Sequence, residues 1–243
     1  MVVPDSHPRK ASLEVRERLL EGFNDGLIAE AGLIAHGRGE ALDYLLGEAT
    51  RDPALTALRV GVGLMCLADK PCISVNGNVA ALCASDVVDL AGVLGGRLEV
   101  NLFYHSTERV GRIIRVLGKA GAGEVFGLQK KNVVAGLDSY RGLVDDALWE
   151  ADCVLVMLED GDRTEALKAL GKKVVCVDLN PLSRSARWAD VTIVDNIVRC
   201  LPLMVEFAGE AAGYEGDRLR DLVAGFSNED NLSDMEKLIR SRL

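Results

Sequence analysis

The sequence predicts an α/β fold, a mostly parallel sheet with helices on both faces, on three observations. Short apolar runs rich in β-branched residues recur along the chain. Stretches with apolar residues at helical spacing lie between them. Hydrophobic residues make up 49% of 243 positions, core enough for one large α/β domain or two small ones. Strands that alternate with helices pair in parallel through right-handed crossovers. A strand buried on both faces reads as an unbroken apolar run.

Residues 12–27 read as the first helix. Leu13, Leu19, Leu20, Phe23 and Leu27 share one face, with Glu14, Glu17, Arg18 and Glu21 opposite. Arg16 falls inside the apolar stripe at 100° per residue. A guanidinium there needs an anionic partner, unless it snorkels to water from the helix edge; an inward role is the expectation. The apolar run 31–35 then leads into His36-Gly37-Arg38-Gly39-Glu40, after which a helical pattern starts. The glycines allow close approach to a ligand, with Arg38 beside a helix start as an anion cradle. A flexible surface turn is the competing reading.

Residues 53–68 read as a helix and 72–75 as a strand. Asn76-Gly77-Asn78 is a tight turn whose N–H groups can also face an anion. Helices are expected over 86–95, 107–119 and 163–170, and strands over 98–101, 152–158, 174–177 and 191–194. A helix from 197 to 208 has Asn196 as its simplest N-cap. Pro202 lies too deep for the first turn, so a kink or a later start is expected. Residues 213–243 are charge-rich with two amphipathic patterns, and Ser233 with Glu236 fits a capping box. The expected organisation is a single α/β domain over 1–212 and an accessory helical tail over 213–243.

The net charge of -9 argues against non-specific nucleic-acid binding and against an anionic membrane surface. At 5% aromatic residues, single-strand stacking platforms are not expected. The six cysteines, at 66, 72, 83, 153, 176 and 200, form no CxxC pair and read as small core residues of a reducing compartment. No hydrophobic signal region opens the chain, and no run approaches membrane-spanning length. The expected location is cytoplasmic.

The motif with the most chemistry is the run from Val174 through Asp178-Leu179-Asn180-Pro181 to Ser183-Arg184-Ser185-Ala186-Arg187. An acid at the carboxyl end of a buried strand sits where open α/β sheets bind ribose-containing ligands. Arginines just beyond supply forked donors for phosphate. A solvated Asn-Pro turn is the alternative. Glu159-Asp160-Gly161-Asp162-Arg163-Thr164-Glu165 follows a strand, and Asp162 with Glu165 fits a capping box. That leaves Glu159 and Asp160 free for Mg²⁺ beside a triphosphate, or as a solvated acidic loop. No dinucleotide fingerprint, P-loop or zinc motif occurs. Arginines at 16, 38, 163, 184 and 187, with no nucleophile–base pair, suit positioning and charge stabilisation between polyanions.

Six collinear blocks carry a family resemblance. They are Ser6-His7-Pro8-Arg9, Ala31 through Glu40, Ile73 through Leu82, Leu158 through Leu167, Asp178 through Arg184, and Val194-Asp195-Asn196-Ile197. Together they resemble archaeal phosphopantothenate synthetase, also called 4-phosphopantoate–β-alanine ligase. The resemblance implies a Rossmann-like, cytoplasmic homodimer in coenzyme A biosynthesis. Its substrates are the small molecules 4-phosphopantoate, β-alanine and ATP, with Mg²⁺; neither nucleic acid nor membrane is a partner. ATP contacts carry over onto Arg16, Arg38, Asp178, Leu179, Asn180, Arg184, Ser185, Asn196 and Ile197. Ser185 keeps the hydroxyl where the family often has Thr. In this reading Asp178 and Asn180 hold ribose or adenine, and Arg16, Arg38 and Arg184 hold the triphosphate. His36, Asn76, Asn78 and Asn101 are phosphopantoate candidates, with Arg163 a further catalytic or substrate candidate. Glu159 and Asp160 orient the amine or Mg²⁺, which otherwise binds through ATP. The alternatives are a nucleotide-binding regulatory module without turnover and a pantoate kinase.

Overall fold

The computed structural model describes residues 4–7, 9–137 and 139–242; Pro8 of the N-terminal motif block and Leu243 lie outside them. The chain opens with α1 (Lys10–Asn24), α2 (Glu30–Leu46) and α3 (Asp52–Cys66), then β1 (Pro71–Val75), α4 (Gly77–Leu94), β2 (Arg97–Val100) and α5 (Thr107–Lys119). There follow β3 (Val125–Phe126), β4 (Asn132–Val133), β5 (Leu143–Val144), α6 (Asp146–Glu150), β6 (Cys153–Met157), α7 (Gly161–Ala169) and β7 (Lys173–Val177). It closes with α8 (Arg184–Trp188), β8 (Val191–Ile193), α9 (Ile197–Ala211), α10 (Gly216–Val223) and α11 (Asn228–Ser241).

Six strands form one sheet in the order β3-β2-β1-β6-β7-β8, every pairing parallel, while β4 and β5 make a separate antiparallel pair. The chain builds outward from β1 to β3, crosses back to lay β6 against β1, and builds outward again to β8. This is the doubly wound order, and the strand direction of travel reverses between β1 and β6. Alternate residues of the central strands enter opposite cores. Ile73, Val75, Leu155, Met157, Val175 and Val177 meet α3, α4 and α9 on one face. Cys72, Val154, Val156, Val174 and Cys176 meet α6 and α7 on the other. Burial on both faces is why these strands read as unbroken apolar runs.

Several local expectations are corrected. Residues 30–46 are one helix, so Gly37-Arg38-Gly39 lies on its third turn and forms no loop. The α4 helix starts at Gly77, with Asn76 as its N-cap accepting from the Val79 N–H. Cys83 (φ -140°, ψ 32°) interrupts it, so the pattern over 86–95 is the half beyond that break. At 18 residues and a mean hydropathy of 1.4, α4 is long and apolar enough to cross a membrane by those measures, contrary to expectation, yet half of it is buried inside the chain. The cap of α7 is Asp160, accepting from the Arg163 N–H, not Asp162. Asn196 caps α9, which runs on through Pro202 with no later start. Ser227 caps α11, so Ser233 lies inside that helix.

The last two helices close one side of the sheet. Leu219 of α10 joins the core formed with α3. Leu232 and Met235 of α11 join Leu46, Leu179, Ala186 and Val194. Asn228 accepts from the Thr192 N–H and donates to the Ala186 and Ala189 carbonyls, and Asn231 donates to the Thr192 carbonyl. The outer edge of β8 is thereby paired, which removes an open template for association.

Candidate functional site

A cavity of about 670 Å³ opens at the carboxyl ends of β1 and β6, the crossover point of the sheet. Open α/β sheets bind ligands there, because the connections diverge to opposite faces and leave a crevice. β1 delivers Asn76, Gly77 and Asn78; β2 delivers Asn101 to Tyr104, and Arg109 of α5 follows. β6 delivers Leu158 to Gly161, and β7 delivers Asp178 to Asn180 with Ser183 to Ser185. Gly32, Arg38 and Gly39 of α2 form the wall opposite. Neighbouring strands lie about 4.8 Å apart, so the crevice from β2 to β7 runs roughly 14 Å. A shallower depression of about 430 Å³ lies along α1 beside Glu14 and Arg18 and draws on helix-surface groups alone.

The crossover is stitched by Asn76, whose Nδ2 donates to the Met157 carbonyl at 2.8 Å while its Oδ1 caps α4. Asn78 donates to the Gly32 carbonyl at 3.0 Å, which joins α4 to α2. Leu158 takes φ 50°, a left-handed conformation costly for a branched side chain. This turn aims the next residues across the cavity. Glu159, whose side chain is 9% exposed, pairs with the buried Arg163 at 3.3 Å; burial pushes its carboxyl up and Arg163 pulls it back. Asp160 combines its cap with an ion pair to Arg141 at 2.7 Å. These two carboxylates are therefore engaged, not free.

At the β7 end, Asp178 accepts from the Asn180 N–H at 2.9 Å and the Ser183 hydroxyl at 2.5 Å. Burial raises its carboxyl above the ordinary range, while those bonds and the charge of Arg38 act the other way. Arg184 reaches Asp162 at 2.5 Å and Glu165 at 2.6 Å. The Ser185 hydroxyl donates to the Glu159 carbonyl at 2.7 Å and ties α8 to the β6 loop. Leu179 is buried and anchors the loop to α11.

The structure thus gathers Arg38, Asn76, Asn78, Asn101, Glu159, Asp160, Asp178, Leu179, Asn180, Arg184 and Ser185 around one cavity. Five other candidates stand behind or beside its lining. Arg16 is not inward: its side chain is 43% exposed and it grips Glu40 through Nε and Nη2 at 2.9–3.1 Å. His36 is half-buried on α2, its imidazole pushed down by burial. Arg163 is buried beneath Glu159, with Nε and Nη1 lacking hydrogen-bond partners. Asn196 caps α9 and donates to Asp43 at 3.0 Å, and Ile197 is in the core.

Sequence reasoning passed over Phe103, Tyr104, Arg109, Lys130 and Arg141. Phe103 and Tyr104 are exposed at the cavity mouth, and Arg141 lies 4.4 Å over the Phe103 ring. Lys130 is buried, donates to Asn101 Oδ1 at 2.8 Å, and has its ammonium pushed down to about 8 by burial. A lysine in a loop reads as solvated until tertiary structure buries it; a run of aromatics after a strand was the available signal for the mouth. Among the described residues no group of three or more His, Cys, Asp or Glu side chains gathers to hold a metal. Magnesium bound here would lean on phosphate oxygens and water, as that ion commonly does; the carboxylates that line the cavity are Glu159, Asp160 and Asp178.

The sequence profile of the phosphopantothenate/pantothenate synthetase family matches residues 53–242. The chain is 53% identical over 243 residues to the 4-phosphopantoate–β-alanine ligase of Thermococcus kodakarensis, spanning 99% of this chain and 93% of that protein. The similarly named protein of Thermococcus onnurineus is 50% identical over the same shares. That of Methanosarcina mazei is 44% identical, across 99% of this chain and 95% of its own length.

Proposed function

The chain belongs to the phosphopantothenate/pantothenate synthetase family, and from that premise we propose that it is the ligase joining 4-phosphopantoate to β-alanine for coenzyme A synthesis. The reaction consumes ATP. A carboxylate oxygen of 4-phosphopantoate attacks the α-phosphorus, the bond to the β-phosphate oxygen breaks, and pyrophosphate leaves. The β-alanine nitrogen then attacks the acyl carbon, AMP departs with the electron pair of the broken C–O bond, and the amine loses a proton. The products are 4′-phosphopantothenate, AMP and pyrophosphate. We also assign the chain to the cytoplasm, as a homodimer.

The observation that carries this reading is the single crevice in which an acid at the end of β7 faces Arg38 of α2. Asp178 and Asn180 suit ribose or adenine edges. Arg38 lies where the triphosphate would run, with forked donors for its oxygens, and Arg184 would join it by giving up Asp162 and Glu165. Arg16, outside the lining, reaches phosphate only by leaving Glu40, and His36, Asn196 and Ile197 support the walls. Asn76, Asn78 and Asn101, with their amides bonded to Met157, Gly32 and Ser74, hold the shape of the wall that the acyl substrate would meet, and Arg163 keeps Glu159 in place for the amine. In this reading these residues act by holding two anions together and neutralising the charge that builds at the α-phosphorus. Magnesium, when bound through ATP, would supply further neutralisation.

The test is product analysis. Purified protein with ATP, Mg²⁺ and 4-phosphopantoate should yield AMP and pyrophosphate in step with added β-alanine. Release of ADP would mark a kinase, and nucleotide binding without turnover would mark a sensor; the relatives' names favour neither. Arg38→Ala should lower pyrophosphate release by about 100-fold or more while the far-UV circular dichroism and thermal melt stay near wild type. Unchanged turnover would remove Arg38 from the site.

A further inference from the structure

The β2 side of the crevice carries a cation that the roles above leave unused. Arg109 lines the cavity from the first turn of α5. Among the described residues it has no carboxylate partner; its Nη2 donates to the Tyr104 carbonyl, and its Nε is buried without a partner. The adjacent acid is already taken, since Glu108 accepts from Arg112 at 2.5 Å. The other cationic lining at the far end differs, because Arg184 is held by Asp162 and Glu165.

The surroundings of Arg109 are positive. It stands where the dipole of α5 is itself positive, a position that favours anions. Burial pushes the His105 imidazole down, and the charges of Lys130 and Arg109 act in the same direction. The acids packed behind this end face Lys130 and the backbone: Glu99, fully buried, lies 3.9 Å from Lys130 and accepts from the Asp145 and Leu148 N–H groups, and Asp145 accepts from the Gly127 and Gln129 N–H groups. An unpaired, partly desolvated guanidinium in a positive pocket is costly unless an anion arrives.

The order of the strands says which anion. If the nucleotide lies on the β7 side, the α-phosphorus and the reacting carboxylate meet near β1 and β6. The acyl substrate has its phosphate at the end opposite that carboxylate, so the phosphate falls toward β2, about one strand spacing of 4.8 Å further on. We propose that Arg109 takes the phosphate of the acyl substrate and is the residue that separates phosphopantoate from unphosphorylated pantoate. This rests on the ligase reading above. Pantoate would leave the guanidinium unpaired in the closed site, the situation that gives a polar pocket its strongest discrimination.

Steady-state kinetics of Arg109→Gln and Arg109→Lys, with each substrate varied in turn, test it. The Gln variant should lose about 100-fold in kcat/KM for 4-phosphopantoate, the range of a lost charge-assisted contact. Its KM for ATP and for β-alanine should stay near wild type, and its preference for phosphopantoate over pantoate should shrink by the same factor. The Lys variant should recover part of the loss. Inorganic phosphate should compete with phosphopantoate in the wild type and in the Lys variant but not in the Gln variant. An unchanged KM for phosphopantoate, or a loss that falls on ATP instead, overturns the proposal. If the Gln variant does not fold, an unaltered phosphopantoate KM with Lys at this position and an absence of phosphate competition in the wild type do the same. Failure of the wild type to form AMP from phosphopantoate overturns the ligase reading itself, and is seen before any variant is made.

Discussion

Lys130 holds its ammonium in a pocket where the side chain is 8% exposed, against Glu99 and the Asn101 amide. Burial pushes its pKa from 10.5 down to about 8. Between those values the unfolded chain binds a proton that the folded chain has released, so this group makes stability rise with pH across that window. Below it both states are charged and the burial penalty is felt in full. The stability of wild type relative to Lys130→Met should therefore increase from pH 8 to 10.5, by at most ~1.4 kcal/mol per unit. Denaturant titrations of both proteins across this range measure it, and parallel curves would show that Lys130 titrates normally. Taking the difference removes the buried thiols of Cys83 and Cys153, which burial lifts to about 12 and which act in the opposite sense. At this scale the sequence was legible where chemistry and chain position coincide. Asp178 could be read because an acid ends an apolar strand. Lys130 and Arg109 could not, since a loop lysine and a base among helix-surface charges look solvated in one dimension. Arg16 misled for the converse reason: its place on the helical wheel was apolar, but Glu40 of the neighbouring helix reaches it at the rim.

Elements were legible in proportion to how far their patterns are local. The strands at β1, β2, β6, β7 and β8 and the helix α5 were readable because burial on two faces, or one apolar stripe, is written directly into the spacing. α2 was not, because its glycines weaken helix propensity by about 1 kcal/mol each and no single face is apolar. Tertiary contacts hold it: Asp43 accepts from Arg199 at 2.6 Å, and Asn78 donates to the Gly32 carbonyl. The first half of α4 was masked by Asn76-Gly77-Asn78, which reads as a turn. Gly77 is there for space. A β-carbon on it would lie 2.2 Å from the Leu27 carbonyl oxygen, a backbone atom that cannot step aside cheaply. Gly77→Ala should cost about 1–3 kcal/mol and lift the α4 N-terminus away from the segment leading into α2. Asn76 and Asn78 flank that contact, so turnover should fall more than stability alone explains. A variant with wild-type melting and kinetics would show that the α4 N-terminus has room to move.

On the scale of the whole molecule, the doubly wound sheet fixes a linear order of chemistry along one crevice, from Arg109 beyond β2 to Asp178 beyond β7. What keeps the β7 end rigid is the C-terminal segment. Met235, fully buried, packs with Leu46, Leu179 and Ala186, so α11 supports from behind the same loop whose other side lines the cavity. Asn228 and Asn231 meanwhile pair the free edge of β8 through Thr192. A tail appended to a finished domain would be dispensable, whereas one that completes a core and closes a sheet edge would not. Met235→Ala should cost about 3 kcal/mol, near 10 °C in melting temperature for a chain of this size. It should also raise the KM for ATP more than that for 4-phosphopantoate, because Leu179 loses its backing while the β2 end is untouched. Truncation after Ala212 should go further and give aggregation, since β8 would present an unpaired edge beside exposed apolar surface. Calorimetry and light scattering of the two proteins decide the matter. A truncated chain that stays monodisperse and binds ATP with wild-type affinity would mean that β8 and the Leu179 loop hold their shape without α11.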